Sequence, residues 1–122
     1  MIKPKLKNHY DKNILVLING GSFSASCLVS AYLKSDNKAI FIGEETGGTI
    51  EGCNAGIMPN YKLPNTKIKI RMPAFRVIHD VSPTLTRHGI LPDYKIHFTL
   101  DDLILRKDLE LSKAMELIHT KK

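Results

Sequence analysis

Serines stand at alternate positions, Ser22, Ser24 and Ser26, directly after Asn19-Gly20-Gly21 and an apolar run that begins at Ile14. That order reads as strand, glycine turn, then serine at the mouth of a helix. Such a junction suits a nucleophilic serine. Glycines let the backbone turn tightly, and a helix start offers unpaired N–H groups and the positive end of its dipole to a developing oxyanion. The same residues also fit ordinary punctuation, because serine is a good N-cap and Gly-Gly-Ser turns precede many helices. The stretch by itself leaves both readings open.

The elements that must position these serines follow from pattern. Ile14–Ile18 is five apolar residues without alternation, which predicts a strand covered on both faces. From Ser24 to about Lys34, the residues Ala25, Leu28, Val29, Tyr32 and Leu33 fall on one helical face, and Ser35-Asp36-Asn37 closes the helix. Ala39–Gly43 is a second short buried strand. Strand, helix and strand in about thirty residues make a βαβ unit with a parallel pair, so the fold class is α/β.

Glu44 to Gly52 fits no secondary-structure period and reads as a loop. Ile57–Leu63 and Lys67–Met72 read as strands of a hairpin around Pro64-Asn65-Thr66, the second with Lys67, Lys69 and Arg71 outward and Ile68, Ile70 and Met72 inward. Phe75–Ile78 would extend the sheet. His88 to Asp93 reads as a turn before a last strand, Tyr94–Phe98. Thr99 and Asp102 form a capping-box pattern for a helix over Leu100–Leu105, and Asp108 caps another with Leu111, Met115 and Ile118 on one face beside Ala114.

At 122 residues the chain is one domain or a piece of one, with 43% apolar and 25% charged residues as in globular chains. No apolar run approaches the roughly 20 residues of a membrane span. The net charge of +6 is partly placed at the ends, at Lys3, Lys5, Lys7, Lys12, Lys121 and Lys122, and reads as solvation. No nucleic-acid motif accompanies it, so no nucleic-acid partner is expected. Cys27 and Cys53 have no ligand spacing with the five histidines, so neither a disulfide framework nor a metal or other cofactor is expected. Residues 1–12 read as a polar arm without the apolar core of a secretion signal. Residues 13–122 form the domain proper.

Three pieces in fixed order carry a resemblance: the apolar strand into GGSFSAS, then IGEETGG, then HGILPDYKI. Together they resemble the C-terminal-processing (tail-specific) serine peptidases, on the side of the tricorn core and the interphotoreceptor retinoid-binding proteins. The likeness covers about Asn13 to Asp93. It implies a partial Clp protease/crotonase-like fold, in which this chain is the C-terminal part of a catalytic domain. It also implies a polypeptide substrate, an extracytoplasmic parent, and sheet edges left open to self-association.

Carried over by position, the resemblance makes Ser24 the nucleophile and the Ala25 N–H one half of the oxyanion hole. The family's lysine base falls at Thr49, which cannot act as a base at neutral pH. In the tricorn-like branch a histidine upstream serves, and His9 is the only one here. His88 is a candidate base downstream, and His79, Glu44, Glu45 and Asp93 are candidates on charge alone. Two functions follow. One is serine-type peptide hydrolysis through an acyl-enzyme, weak or absent in the isolated chain. The other is a non-catalytic binding or structural domain on a degenerate peptidase scaffold.

Overall fold

The computed structural model describes residues 10, 12–81 and 87–120. Apart from residues 10 and 12, the expected polar arm lies outside them, and so does His9. In chain order the elements are β1 (Ile14–Ile18), α1 (Ala25–Ser35), β2 (Ala39–Gly43), β3 (Gly52–Ala55), β4 (Asn60–Lys62), β5 (Lys69–Arg71), β6 (Phe75–Ile78), β7 (Tyr94–Lys95), α2 (Leu100–Ile104) and α3 (Leu109–Thr120).

The βαβ unit forms as the apolar runs dictate. β1 pairs parallel with β2 from Ile14↔Ala39 to Ile18↔Gly43, and β7 adds parallel to the other side of β2. Alternation then sorts the side chains between two layers. Val16, Ile18, Ala39 and Phe41 pack with Ala31 and Leu33 of α1 and with Ile50, Val81 and Ile90. Leu15, Leu17 and Ile40 instead face α3, where they share an apolar cleft of about 450 Å³ with Leu111, Ala114 and Ile118.

The structure corrects three expectations. First, the expected apolar face of α1 is only partly covered: Leu33 packs on the core and Leu28 is half-buried, but Val29 is 58% and Tyr32 45% exposed, while Cys27, Ser30 and Ala31 are buried. Small side chains let the helix lie close on the sheet, and Val29 and Tyr32 are turned outward. Second, β6 does not extend the main sheet but pairs antiparallel with β3 as a separate ribbon. Third, the hairpin strands shrink to three residues each, and of the expected inward side chains only Ile70 is even half-buried. Prolines at 59, 64 and 73 have no N–H to give, which limits the ladder.

The C-terminal helices start as expected. Thr99 and Asp102 complete a reciprocal capping box, and Asp108 accepts the Leu111 N–H at 2.8 Å. Hydrogen bonds from the Thr99 hydroxyl and from Lys107 lower the Asp102 carboxyl to about 2.

Candidate active site

The serine turn is strained where the chemistry would be. Ser24 has φ 53° and ψ −116°, a combination that a side chain disfavours and that glycine holds at the second position of a II′ turn. The turn itself is closed, because the Ser26 N–H donates to the Phe23 carbonyl at 3.2 Å. Ser24 precedes the first helical residue, yet its side chain makes no capping hydrogen bond, and it is exposed. Ordinary punctuation falls instead on its neighbours. The Ser22 hydroxyl accepts from the Asn19 N–H at 3.3 Å, and the Ser26 hydroxyl donates to the Phe23 carbonyl at 2.7 Å. Ala25 opens α1, so its N–H has no acceptor within the helix and stays beside the Ser24 side chain.

The Glu44–Gly52 segment is packed against this turn. Glu44 N–H donates to the Ile18 carbonyl and Gly48 N–H to the Ser22 carbonyl, at 2.9 and 3.0 Å. The Cys27 thiol donates to the same Ser22 carbonyl at 3.1 Å. Contact is close enough to demand glycine at position 47, where a Cβ would stand 2.3 Å from the Gly20 carbonyl oxygen and 2.4 Å from the Phe23 ring. On its other flank the segment is sewn to the His88–Ile90 turn. Thr46 N–H donates to the Ile90 carbonyl, the Thr46 hydroxyl accepts from the Ile90 N–H at 2.7 Å, and Glu45 Oε1 accepts from the Gly89 N–H at 2.7 Å. One loop thus couples all three sequence motifs.

The candidate bases are distributed unevenly around it. The His88 ring is exposed with Nδ1 3.7 Å from Glu45 Oε1, and its carbonyl accepts from the Ile50 N–H. These contacts run to the loop and not to Ser24. Thr49 donates its hydroxyl to the Gly52 carbonyl at 2.8 Å. Asp93 is a brace, with one carboxylate oxygen on Lys34 of α1 and the other accepting the Phe41 N–H at 2.8 Å. Burial pushes its carboxyl up, but the bonds from Lys34 and Phe41 and the Lys34 charge outweigh that and hold it below the ordinary carboxylate value.

Two polar residues near the loop carry more than their sequence signal suggested. Glu51 is buried, accepts the Arg87 N–H at 2.6 Å on one oxygen, and meets Arg76 at 3.3 Å with the other. Its partners lie 25 and 36 residues away, so no local spacing exposes it. His79 is 2% exposed, and Nδ1 lies 2.9 Å from the Ile50 carbonyl. A carbonyl only accepts, so Nδ1 carries a proton, while Nε2 has no partner among the described residues. Its neighbours Ile78 and Asp80 gave no hint of burial. Beside the loop, Gly48, Thr49, Cys53, Asn54 and Arg76 line a cleft of about 340 Å³. Among the described residues no group of three metal-ligating side chains occurs, and no helix is long and apolar enough to cross a membrane.

The order of these motifs has a counterpart in known proteins. The model of Peptidase family S41 matches residues 2–96. The chain belongs to peptidase family S41. It is 29% identical over 120 residues to an uncharacterized protein of Chlamydia muridarum, covering 96% of this chain and 19% of that protein. Over 107 residues it is also 29% identical to the tricorn protease homolog of Saccharolobus solfataricus, covering 87% of this chain and 10% of that one. The S41 chain therefore spans about a fifth or less of the length of these relatives. Among solved structures it is similar to a peptidase from Parabacteroides merdae, with a TM-score of 0.68 at 24% identity over 95% of this chain and 35% of that one. It is similar too to mature CPAF complexed with lactacystin, with a TM-score of 0.53 at 20% identity over 94% of this chain and 21% of that one. These likenesses establish the fold as part of an α/β peptidase fold.

Proposed function

We propose that Ser24 is the nucleophile of a serine-type peptidase acting on polypeptides. One observation carries the reading. A non-glycine residue is held at φ 53° where its hydroxyl is exposed and caps nothing, at a strand-to-helix turn of an S41 chain. Backbone strain of this kind costs about 1–3 kcal/mol and persists where its surroundings enforce it. Here the enforcing contacts are the Phe23–Ser26 turn bond and the Gly47–Gly48 loop.

In the step proposed, Ser24 Oγ attacks the scissile carbonyl carbon and gives up its proton, and the oxyanion accepts the Ala25 N–H. The C–N bond then breaks, the amine leaves with a proton, and water hydrolyses the Ser24 ester. Thr49 spends its hydroxyl on Gly52, so the proton acceptor proposed is His88, whose ring stands beside Glu45. The spent Thr49 hydroxyl favours the second reading, a binding or structural domain without turnover.

A fluorophosphonate probe separates the two, with imidazole added as an external base. The reading predicts slow labelling of Ser24, faster with imidazole and absent in Ser24→Ala, read by intact mass and peptide mapping. A cooperatively folded sample that forms no Ser24 adduct even with imidazole overturns it. His88→Ala should slow labelling without imidazole, and unchanged labelling would rule out His88 as the base.

A further inference from the structure

The ribbon of β4 and β5 has no part in the site above, and its charge is unusual. From Gly52 to His79 the chain carries Lys62, Lys67, Lys69, Arg71 and Arg76 and no acidic residue, a net +5 against +6 for the whole chain. That equals the +5 of the two termini, where the six lysines named above stand against Asp11, but here it is carried on a folded element. Register fixes where it points. Lys62 lies directly opposite Lys69 and Asn60 opposite Arg71, so three cations share one face. Like charges set opposite one another weaken a ribbon, and among the described residues no acidic side chain pairs with Lys62, Lys69 or Arg71.

The opposite face is apolar. Tyr61 opposes Ile70, and alternation adds Leu63, Ile68 and Met72 to the same side. Tyr61, Ile68 and Met72 remain exposed. Among the described residues β4 and β5 form a two-stranded sheet with no further strand on either outer edge. One cationic face, one apolar face and a free edge define what fits.

We propose that this ribbon docks an extended segment of a partner polypeptide in which acidic and apolar residues alternate. Added as a third strand, such a segment gains backbone hydrogen bonds along the edge. The period of two places its acidic side chains by Lys62, Lys69 and Arg71 and its apolar ones by Tyr61 and Ile70. Other occupants fit less well. A ribbon that buried its apolar face in lipid would turn the three cations away from the headgroups. No aromatic side chain stands on the cationic face to stack a base. Edge pairing with the same ribbon of a second copy would bring like charges together.

The test is fluorescence anisotropy with a fluorescein-labelled heptapeptide of alternating glutamate and valine. Lysine–valine and glutamate–serine peptides, and vesicles of phosphatidylserine in phosphatidylcholine, are the comparisons. Saturable binding of the glutamate–valine peptide alone is expected, weakened by salt and at least about tenfold by Lys62→Glu with Lys69→Glu. Ile68→Ser, on the other face, weakens it too. Each variant is checked for a cooperative melt, and Lys62→Gln with Lys69→Gln replaces the reversal if that fails. Absence of binding overturns the proposal and leaves the lysines and prolines as guards against edge aggregation. Equal binding of the glutamate–serine peptide, indifference to the charge change, or preference for the vesicles also overturns it.

Discussion

Phe41 and Ile42 of β2 are fully buried, whereas Phe75, Val77 and Ile78 of β6 are exposed, although both strands are short and mostly apolar. The difference lies in what covers them. β2 sits between β1 and β7 with α1 on one face and α3 on the other, while among the described residues β6 pairs with β3 alone. Apolar content thus says that a strand can be buried, and the neighbours decide whether it is. Stability is concentrated in the three-stranded sheet, and the ribbons contribute surface.

Paired truncations break or sharpen that contrast most strongly. Phe41→Ala should cost about 3–5 kcal/mol by urea unfolding, because it empties a fully packed site. Ile78→Ala, at a residue 71% exposed, should change stability by less than about 0.5 kcal/mol. Comparable losses at both positions would erase the distinction between sheet and ribbon.

The loop that joins the sheet to the site comes next. Gly47→Ala forces a Cβ onto the Gly20 carbonyl and the Phe23 ring, so about 1–3 kcal/mol should be lost, together with fluorophosphonate labelling of Ser24. Stability lost with labelling intact would show that the loop does not hold the serine turn.

A smaller effect tests the brace under the sheet. The Asp93 carboxyl is held below its ordinary value, so its contribution is present above that value and fades as pH falls through the lowered one. Asp93→Asn should therefore cost about 1 kcal/mol near neutral pH, discounted for the exposure of the Lys34 pair, and less as the carboxyl protonates below about pH 4. Urea unfolding at pH 7 and pH 3 reads the difference, and a penalty equal at both would show that the Asp93 charge is not what matters.

The same contrast explains what was legible in the sequence. Ile14–Ile18 and Ala39–Gly43 were readable to the residue, because unbroken apolar runs between polar turns have few other fates. The Thr99–Asp102 capping box and the Asp108 cap were local chemistry and were equally plain. The covered face of α1 was not, since periodicity weighs size and the sheet accepted the small Cys27, Ser30 and Ala31 instead. β3 has no period at all: Gly52, Cys53, Asn54 and Ala55 become a strand only through their register with β6. At the site, motif order singled out Ser24, but nothing in the letters shows a serine held where glycine belongs. Glu51 and His79 owe their positions to partners far along the chain, and only the fold brings those together.

The strain at Ser24 is what separates a nucleophile turn from a helix cap, and one substitution measures it. Ser24→Gly removes the side chain that resists φ 53°, at the cost of extra freedom in the unfolded chain. The net result predicted is a gain of about 1 kcal/mol in unfolding free energy by urea titration, the relief of strain exceeding the entropy of glycine. A loss of stability in Ser24→Gly, as follows from deleting an ordinary N-cap, would contradict the account.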